Sequence, residues 1–431
     1  MNKVSVQIIG FNPEGISASA AASRISTGSG TALDAFAKSG DREKDLKLIG
    51  KVLSSGHNTV IEHVYLTAAF NDVSVLTEQL MIEHRLAAYT VKSRRYVDFS
   101  GAGFLVPEGL GDRHEKYISH MERLFGIYDK LLEAGIPRED ARFVLPYCFR
   151  SNFIMSANAR EMLLVADAMI RGRLSVYPEI KRLGEMLLSQ IEELFPAAGK
   201  ALSKTARENE PLHALGEIPA PAQADTQTQL VSSPADAEGL LKSALAFNGR
   251  ENMSLKALIH DERPRELEML SYAFRIKDVS LASVTHFTRH RIQSLIVPRP
   301  VNALQKNAYV LPDTVKSNPE ALALYTQAFR INAQAANEFR NDPELISYFA
   351  LAGNTVDILF SMNARELVHF LRLRTCTRAQ WEIRACASEM LSLLMEEYRP
   401  LFKYYGPSCA ILGYCPEGRL SCGKLVKPEE E

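Results

Sequence analysis

Two stretches of the chain repeat apolar residues at spacings of three and four. Tyr117, Met121, Leu124, Phe125, Tyr128, Leu131 and Leu132 form one, closing at Gly135-Ile136-Pro137. Leu322, Tyr325, Phe329, Ala333, Ala336 and Phe339 form the other, closing at Asp342-Pro343. That period predicts an amphipathic helix in each place, ended by the proline. The segments after Asn158 and Asn363 are also expected to be helical. Shorter β-rich runs alternate with them: VSVQII at 4–9, VYLTAAF at 64–70 and LEMLSYAF at 267–274. The predicted class is α+β rather than a regular βαβ repeat.

Comparing the chain with itself shows why the patterns come in pairs. Asp72-Val73-Ser74 recurs as Asp278-Val279-Ser280 and His84-Arg85 as His290-Arg291, both at an offset of 206 (278 − 72; 290 − 84). Asn158-Ala159-Arg160-Glu161 recurs as Asn363-Ala364-Arg365-Glu366 at 205, Pro107 as Pro312 at 205, and Glu179-Ile180 as Glu382-Ile383 at 203. Matches in one order at a nearly constant offset imply a tandem duplication, each copy a small, mostly antiparallel sheet packed with long helices. The expected division is an N-terminal module at 1–215, a Pro/Ala/Gln/Ser-rich linker at 216–238, a C-terminal module at 239–408 and a cysteine-containing tail at 409–431.

Composition narrows the function classes. Of 431 residues, 46% are hydrophobic and 23% charged, with net charge −1, so no global basic field points to nucleic acid or an anionic membrane. No apolar run approaches the ~20 residues that span a bilayer. The N-terminal apolar stretch is too short for a signal peptide, and a cytoplasmic protein is expected. Cys409, Cys415 and Cys422 cluster in a Gly/Pro-rich tail. Three thiols are ligands of the type that hold zinc or an iron–sulfur centre, although a closed zinc site takes four protein ligands. The other reading is reduced thiols, or one disulfide with a thiol left over.

With no global field, any anionic ligand must be held by a local cluster. Arg289-His290-Arg291 puts two permanent cations beside a histidine, an arrangement suited to a polyanion or to several carboxylates. On a helix starting at Ala364, Arg365, His369 and Arg372 fall on one stripe. Each element alone reads as a solvated basic surface.

Together the elements resemble the signature of flavin-dependent thymidylate synthases: Arg289-His290-Arg291 with Ser294, then Asn363-Ala364-Arg365-Glu366-Leu367, Leu373-Arg374 and Ala379-Gln380-Trp381-Glu382-Ile383. The first copy adds Gly56-His57-Asn58-Thr59-Val60-Ile61-Glu62-His63, Ser93-Arg94-Arg95-Tyr96, and Glu139-Asp140-Ala141-Arg142 before Val144-Leu145-Pro146. The likeness covers most of both copies. It implies FAD held by His57, Thr59, Arg289, His290, Arg291, Ser294, Asn363, Arg365, His369 and Arg378. It also implies a pyrimidine nucleotide bound by Ser93, Arg94, Arg95, Arg142, His286, Arg289 and Arg374, with Arg374 as the catalytic cation beside the uracil ring. The implied reaction is reductive methylation of dUMP to dTMP with methylenetetrahydrofolate and NADPH. A homodimer of two-module chains would reproduce the family's tetramer. The copies divide these residues. Glu83, Ala88, Leu164 and Met169 stand opposite Arg289, Ser294, His369 and Arg374, while Arg299, Val301 and Ser347 stand opposite Ser93, Arg95 and Arg142. One composite site per chain is therefore expected. Val91 stands where the family often has Glu, His286 where it has Gln, and Arg378 where it often has His. These departures leave open a relative acting on another pyrimidine nucleotide, or a non-catalytic nucleotide-binding protein.

Overall fold

A computed structural model of the chain describes residues 4–202 and 211–424. It contains two four-stranded antiparallel sheets. In the first, β1 (Ser5–Phe11), β2 (Tyr65–Ser74), β3 (Ala88–Val91) and β4 (Arg150–Asn158) run in the order β1-β2-β4-β3. In the second half β5 (Ala222–Gln223), β6 (Gln227–Ser232), β7 (Ser271–Ser280), β8 (Ser294–Ile296), β9 (Ala308–Tyr309) and β10 (Thr355–Asn363) follow. Their main sheet has the order β6-β7-β10-β8, the same arrangement, and β5 pairs with β9 separately. The α+β class stands. Strands β5 and β6 lie inside 216–238, so the segment read as a linker supplies an edge strand. Its polar residues fit an edge, where one side of the ladder faces water.

The repeated motifs hold the same positions in each sheet. Asp72 and Asp278 adopt positive φ, 52° and 55°, beside irregularities in strand register. Short polar side chains tolerate that conformation. Val73 and Val279 are fully buried. Ser74 and Ser280 cap the helices Val75–Met81 and Leu281–Phe287. Each serine also gives its backbone N–H and hydroxyl to a buried glutamate, Ser74 to Glu179 at 2.8 and 2.6 Å and Ser280 to Glu382 at 2.7 and 2.5 Å. Burial pushes both carboxyls upward, against those hydrogen bonds.

The two long amphipathic helices span His114–Glu133 and Pro319–Phe339. Tyr117, Met121, Leu124, Phe125, Tyr128 and Leu131 are buried on the first; Tyr325, Phe329, Ala333, Ala336 and Phe339 are buried on the second. The chain divides into two compact units, but the boundary does not follow the copies. The first unit contains 1–129, 145–217 and 334–349; the second contains 130–144, 218–333 and 350–431. Each copy thus contributes one segment to the unit that holds the bulk of the other, and the two segments are counterparts at an offset of about 205. Among the described residues no helix is long and apolar enough to cross a membrane.

Candidate functional site

In the second unit, the helix Leu281–Phe287 ends in a tight turn before β8. The turn points His290 inward, 4% exposed, and leaves Arg289 and Arg291 exposed on either side. The helix Ala364–Arg374 begins at Asn363, whose side chain accepts the Glu366 N–H at 2.9 Å. From its last turn Arg374 donates through Nε to His290 Nε2 at 2.9 Å and through Nη2 to the His286 carbonyl at 3.2 Å. The Phe370 ring lies 4.7 Å from the His290 ring and the exposed His369 ring 5.6 Å. Ser294 is exposed and pairs with Ser361 across β8 and β10.

These neighbours set the charge state of His290. Burial first, then Arg374, His369 and Arg289, push its imidazole down to about 2. It is neutral at any ordinary pH. The cations that add to the effect of burial are also what an incoming polyanion would meet, and the exposed Arg289, Arg291 and His369 are the outward donors. This donor set fits the pyrophosphate of a dinucleotide.

The first copy acts as an internal control. Glu83, opposite Arg289, is ion-paired with Arg173 at 2.5 Å. Leu164, opposite His369, is 47% exposed, and Met169, opposite Arg374, is buried. Yet two elements survive unchanged in this decayed face. Asn158 caps its helix by accepting from Glu161 at 2.9 Å, and Arg160 pairs with Glu62 at 2.6 Å as Arg365 pairs with Glu268 at 2.5 Å. Asn363 and Arg365 therefore perform structural work common to both modules, a helix cap and an ion pair. Of the outward-facing donors, Arg289 and His369 are found only in the second copy, whereas Arg291 has an exposed counterpart in Arg85.

Arg142 also belongs to the second unit. It is 3% exposed, donates from Nε to the Glu139 carbonyl at 3.0 Å, and lies close enough to Glu382 to stabilise that carboxylate. Its segment is fixed there by several contacts. Asp140 accepts from Trp381 Nε1 at 2.8 Å and Thr314 Oγ1 at 2.6 Å. The Phe143 ring stacks on Trp381, and its carbonyl accepts the Gly353 N–H at 2.8 Å. Gly353 admits this approach, since a Cβ there would lie 2.9 Å from the Tyr325 hydroxyl and 3.0 Å from Phe143 Cβ. At the matching position in the first unit, Tyr348 donates to Glu179 at 3.1 Å.

The other expected ligands lie in the first unit. His57 and Thr59 are exposed at the 3₁₀ turn Asn58–His63, and Ser93 and Arg95 are half-buried, Arg95 lying 5.4 Å over the Tyr96 ring. Arg94 is a correction. It is buried and ion-paired with Glu78 at 2.8 Å, so its charge is committed to the interior and does not face a nucleotide. In the second unit His286 is buried and Arg378 half-buried, in the turn before Trp381. The cysteine tail is a second correction. Cys409 is buried, Cys415 half-buried and Cys422 exposed, and among the described residues no three His, Cys, Asp or Glu side chains gather as a metal site.

His84 yields a measurable consequence. Burial and Arg173 push it down to about 4, against about 6.5 in an unfolded chain. Between those values the unfolded chain binds the extra proton, so the contribution is full above pH 6.5 and lost as pH falls. Denaturant titrations of the wild type and His84→Gln are expected to shift in favour of the variant by about 2 kcal/mol between pH 7.5 and 5. A difference independent of pH would show that His84 titrates normally.

The family described as Thymidylate synthase complementing protein matches the chain twice, over residues 7–197 and 222–398. A flavin-dependent thymidylate synthase of Clostridium tetani is 31% identical over 219 residues, 46% of this chain and 87% of that protein. Another, from Geobacter sulfurreducens, is 35% identical over 174 residues, 37% of this chain and 72% of that protein. Among solved structures, a UMP/dUMP methylase PolB from Streptomyces cacaoi bound with 5-Br dUMP aligns at a TM-score of 0.40 and 23% identity, over 46% of this chain and 94% of that one.

Proposed function

The chain belongs to the Thymidylate synthase complementing protein family, and from that premise we propose that it is a flavin-dependent thymidylate synthase acting on dUMP, with a site assembled from both sequence copies. The observation that carries this reading is the membership of the two compact units. Arg142 of the first copy belongs to the unit that contains Arg374, whereas its counterpart Ser347 belongs to the unit that contains Met169. Arg142, Arg289, His369 and Arg374 share one unit, and their counterparts Ser347, Glu83, Leu164 and Met169 share the other, while Ser93 and Arg95 stay in the first unit. Decay without regard to function would not be expected to sort in this way.

In this reading Arg289, Arg291 and His369 hold the flavin pyrophosphate, with His57, Thr59, Ser294 and Arg378 in supporting contacts. Ser93 and Arg95 grip the nucleotide phosphate through a hydroxyl and a planar guanidinium fork. Arg374 faces the pyrimidine and stabilises negative charge that develops on it, a task for a fixed cation in a partly dry pocket. When bound, FAD supplies the hydride chemistry that completes methyl transfer from methylenetetrahydrofolate, with NADPH as reductant. Two chains would pair to give the four-module assembly.

The test is purification followed by titration with FAD and dUMP. Uptake of flavin, and oxidation of the reduced flavin only when dUMP and methylenetetrahydrofolate are both present, are expected. A protein that takes up no FAD and binds no dUMP overturns the reading. A second reading, action on another pyrimidine nucleotide, is favoured by Val91, an apolar residue of β3 paired with Phe153 where a carboxylate would be needed. Stronger thermal stabilisation by UMP or dCMP than by dUMP would select it.

A further inference from the structure

We propose that His290 is a positioning residue: a neutral imidazole that accepts a hydrogen bond from Arg374 and thereby fixes the direction of that guanidinium. The proposal rests on the reading of Arg374 as the group facing the pyrimidine.

The geometry leaves His290 one workable role. Its Nε2 lies 2.9 Å from Arg374 Nε, and an arginine Nε can only donate, so Nε2 is the bare, accepting nitrogen. The proton then sits on Nδ1, which lies 3.4 Å from Glu366 Oε1, long for a hydrogen bond but on the side of the ring where a carboxylate stabilises N–H. Arg374 is held at a second point by the His286 carbonyl. Two acceptors from one helix and the following turn set both the position and the plane of the fork. A flexible arginine would otherwise have to be ordered at each turnover.

The groups facing the ring are Arg289 from its own turn, and Glu366, His369, Phe370 and Arg374 from the helix opposite. Three of these are cations or can become one. Protonation of His290 would replace its acceptor with a donor and set two positive charges against each other, so the arrangement operates only while the imidazole is neutral. The first copy offers the contrast. His84 occupies the same place, but Met169 stands where Arg374 would be, and among the described residues His84 Nε2 has no hydrogen-bond partner. A histidine here is therefore tolerated by the fold without the arginine, and only the second copy gives it something to hold.

The test combines a spectroscopic readout with a rescue. In ¹⁵N-labelled full-length protein, the His290 ring is expected to remain neutral, with the proton on Nδ1, from pH 8 to pH 5. Removing the charge in Arg374→Met is expected to move its titration upward toward the ordinary range. His290→Phe is expected to raise the dissociation constant for dUMP and lower kcat, together at least ~30-fold in kcat/KM, whereas His290→Gln, which keeps an acceptor, recovers most of the loss. His84→Phe leaves both unchanged. A His290 ring titrating near 6.5 in the wild type overturns the proposal, as does equal impairment of the Phe and Gln variants. If the wild type neither binds nor turns over dUMP while the ring is neutral and bonded to Arg374, the functional reading fails and the pairing of His290 with Arg374 survives it.

Discussion

Replacement of Arg374 by alanine is expected to lower dUMP-dependent dTMP formation by at least ~100-fold, with the fold intact. The magnitude follows from removing one preorganised donor aimed at developing charge, a loss of about 3 kcal/mol of transition-state stabilisation. Arg374 is half-exposed at the end of its helix, and the two acceptors it bonds, the His290 ring nitrogen and the His286 carbonyl, are uncharged. Arg374→Lys is expected to recover little. An ammonium is a point charge that cannot hold His290 Nε2 and the His286 carbonyl while presenting a planar edge outward. Steady-state assays of dTMP formation read the effect directly, and a variant keeping more than a tenth of wild-type turnover would remove Arg374 from the chemistry.

What local pattern dictates was legible in the sequence. The long helices appear where apolar residues recur at three and four, and Asn158 and Asn363 cap the helices they introduce. The repeated Asp-Val-Ser and Glu-Ile pairs were visible as words, but their meaning was not. A serine at 74 and a glutamate at 179 meet only after the chain has crossed the sheet. The same limit explains the corrections. Arg94 reads as an available cation because its partner, Glu78, is 16 residues away. Strand β6 escaped notice because QTQLVS lacks the apolar alternation of a strand buried on one face. Least legible was the exchange of 130–144 and 334–349 between units. Periodicity states that a helix exists and ends at a proline, and carries no information about which unit the following residues join.

That exchange makes Arg142 the residue whose loss should be felt twice. Its guanidinium is buried beside the carboxylate of Glu382, which also accepts from Ser280. Arg142→Ala removes the cation that partly offsets the buried charge, and a destabilisation of about 1–3 kcal/mol is expected in denaturant titration. If Arg142 also meets the nucleotide, the dissociation constant for dUMP should rise at least ~30-fold, more than a loss of folded protein explains when measured well below the unfolding midpoint. Ser347→Ala, at the counterpart position in the other unit, separates the two effects. It is expected to leave dUMP binding unchanged, because the unit it belongs to carries Met169 in place of the arginine. Arg142→Gln, which keeps a donor but no charge, is expected to fold more stably than the alanine variant and still bind dUMP poorly. Wild-type affinity for dUMP in Arg142→Ala would separate the two copies functionally, and the second copy would then have to bind its nucleotide without help from the first.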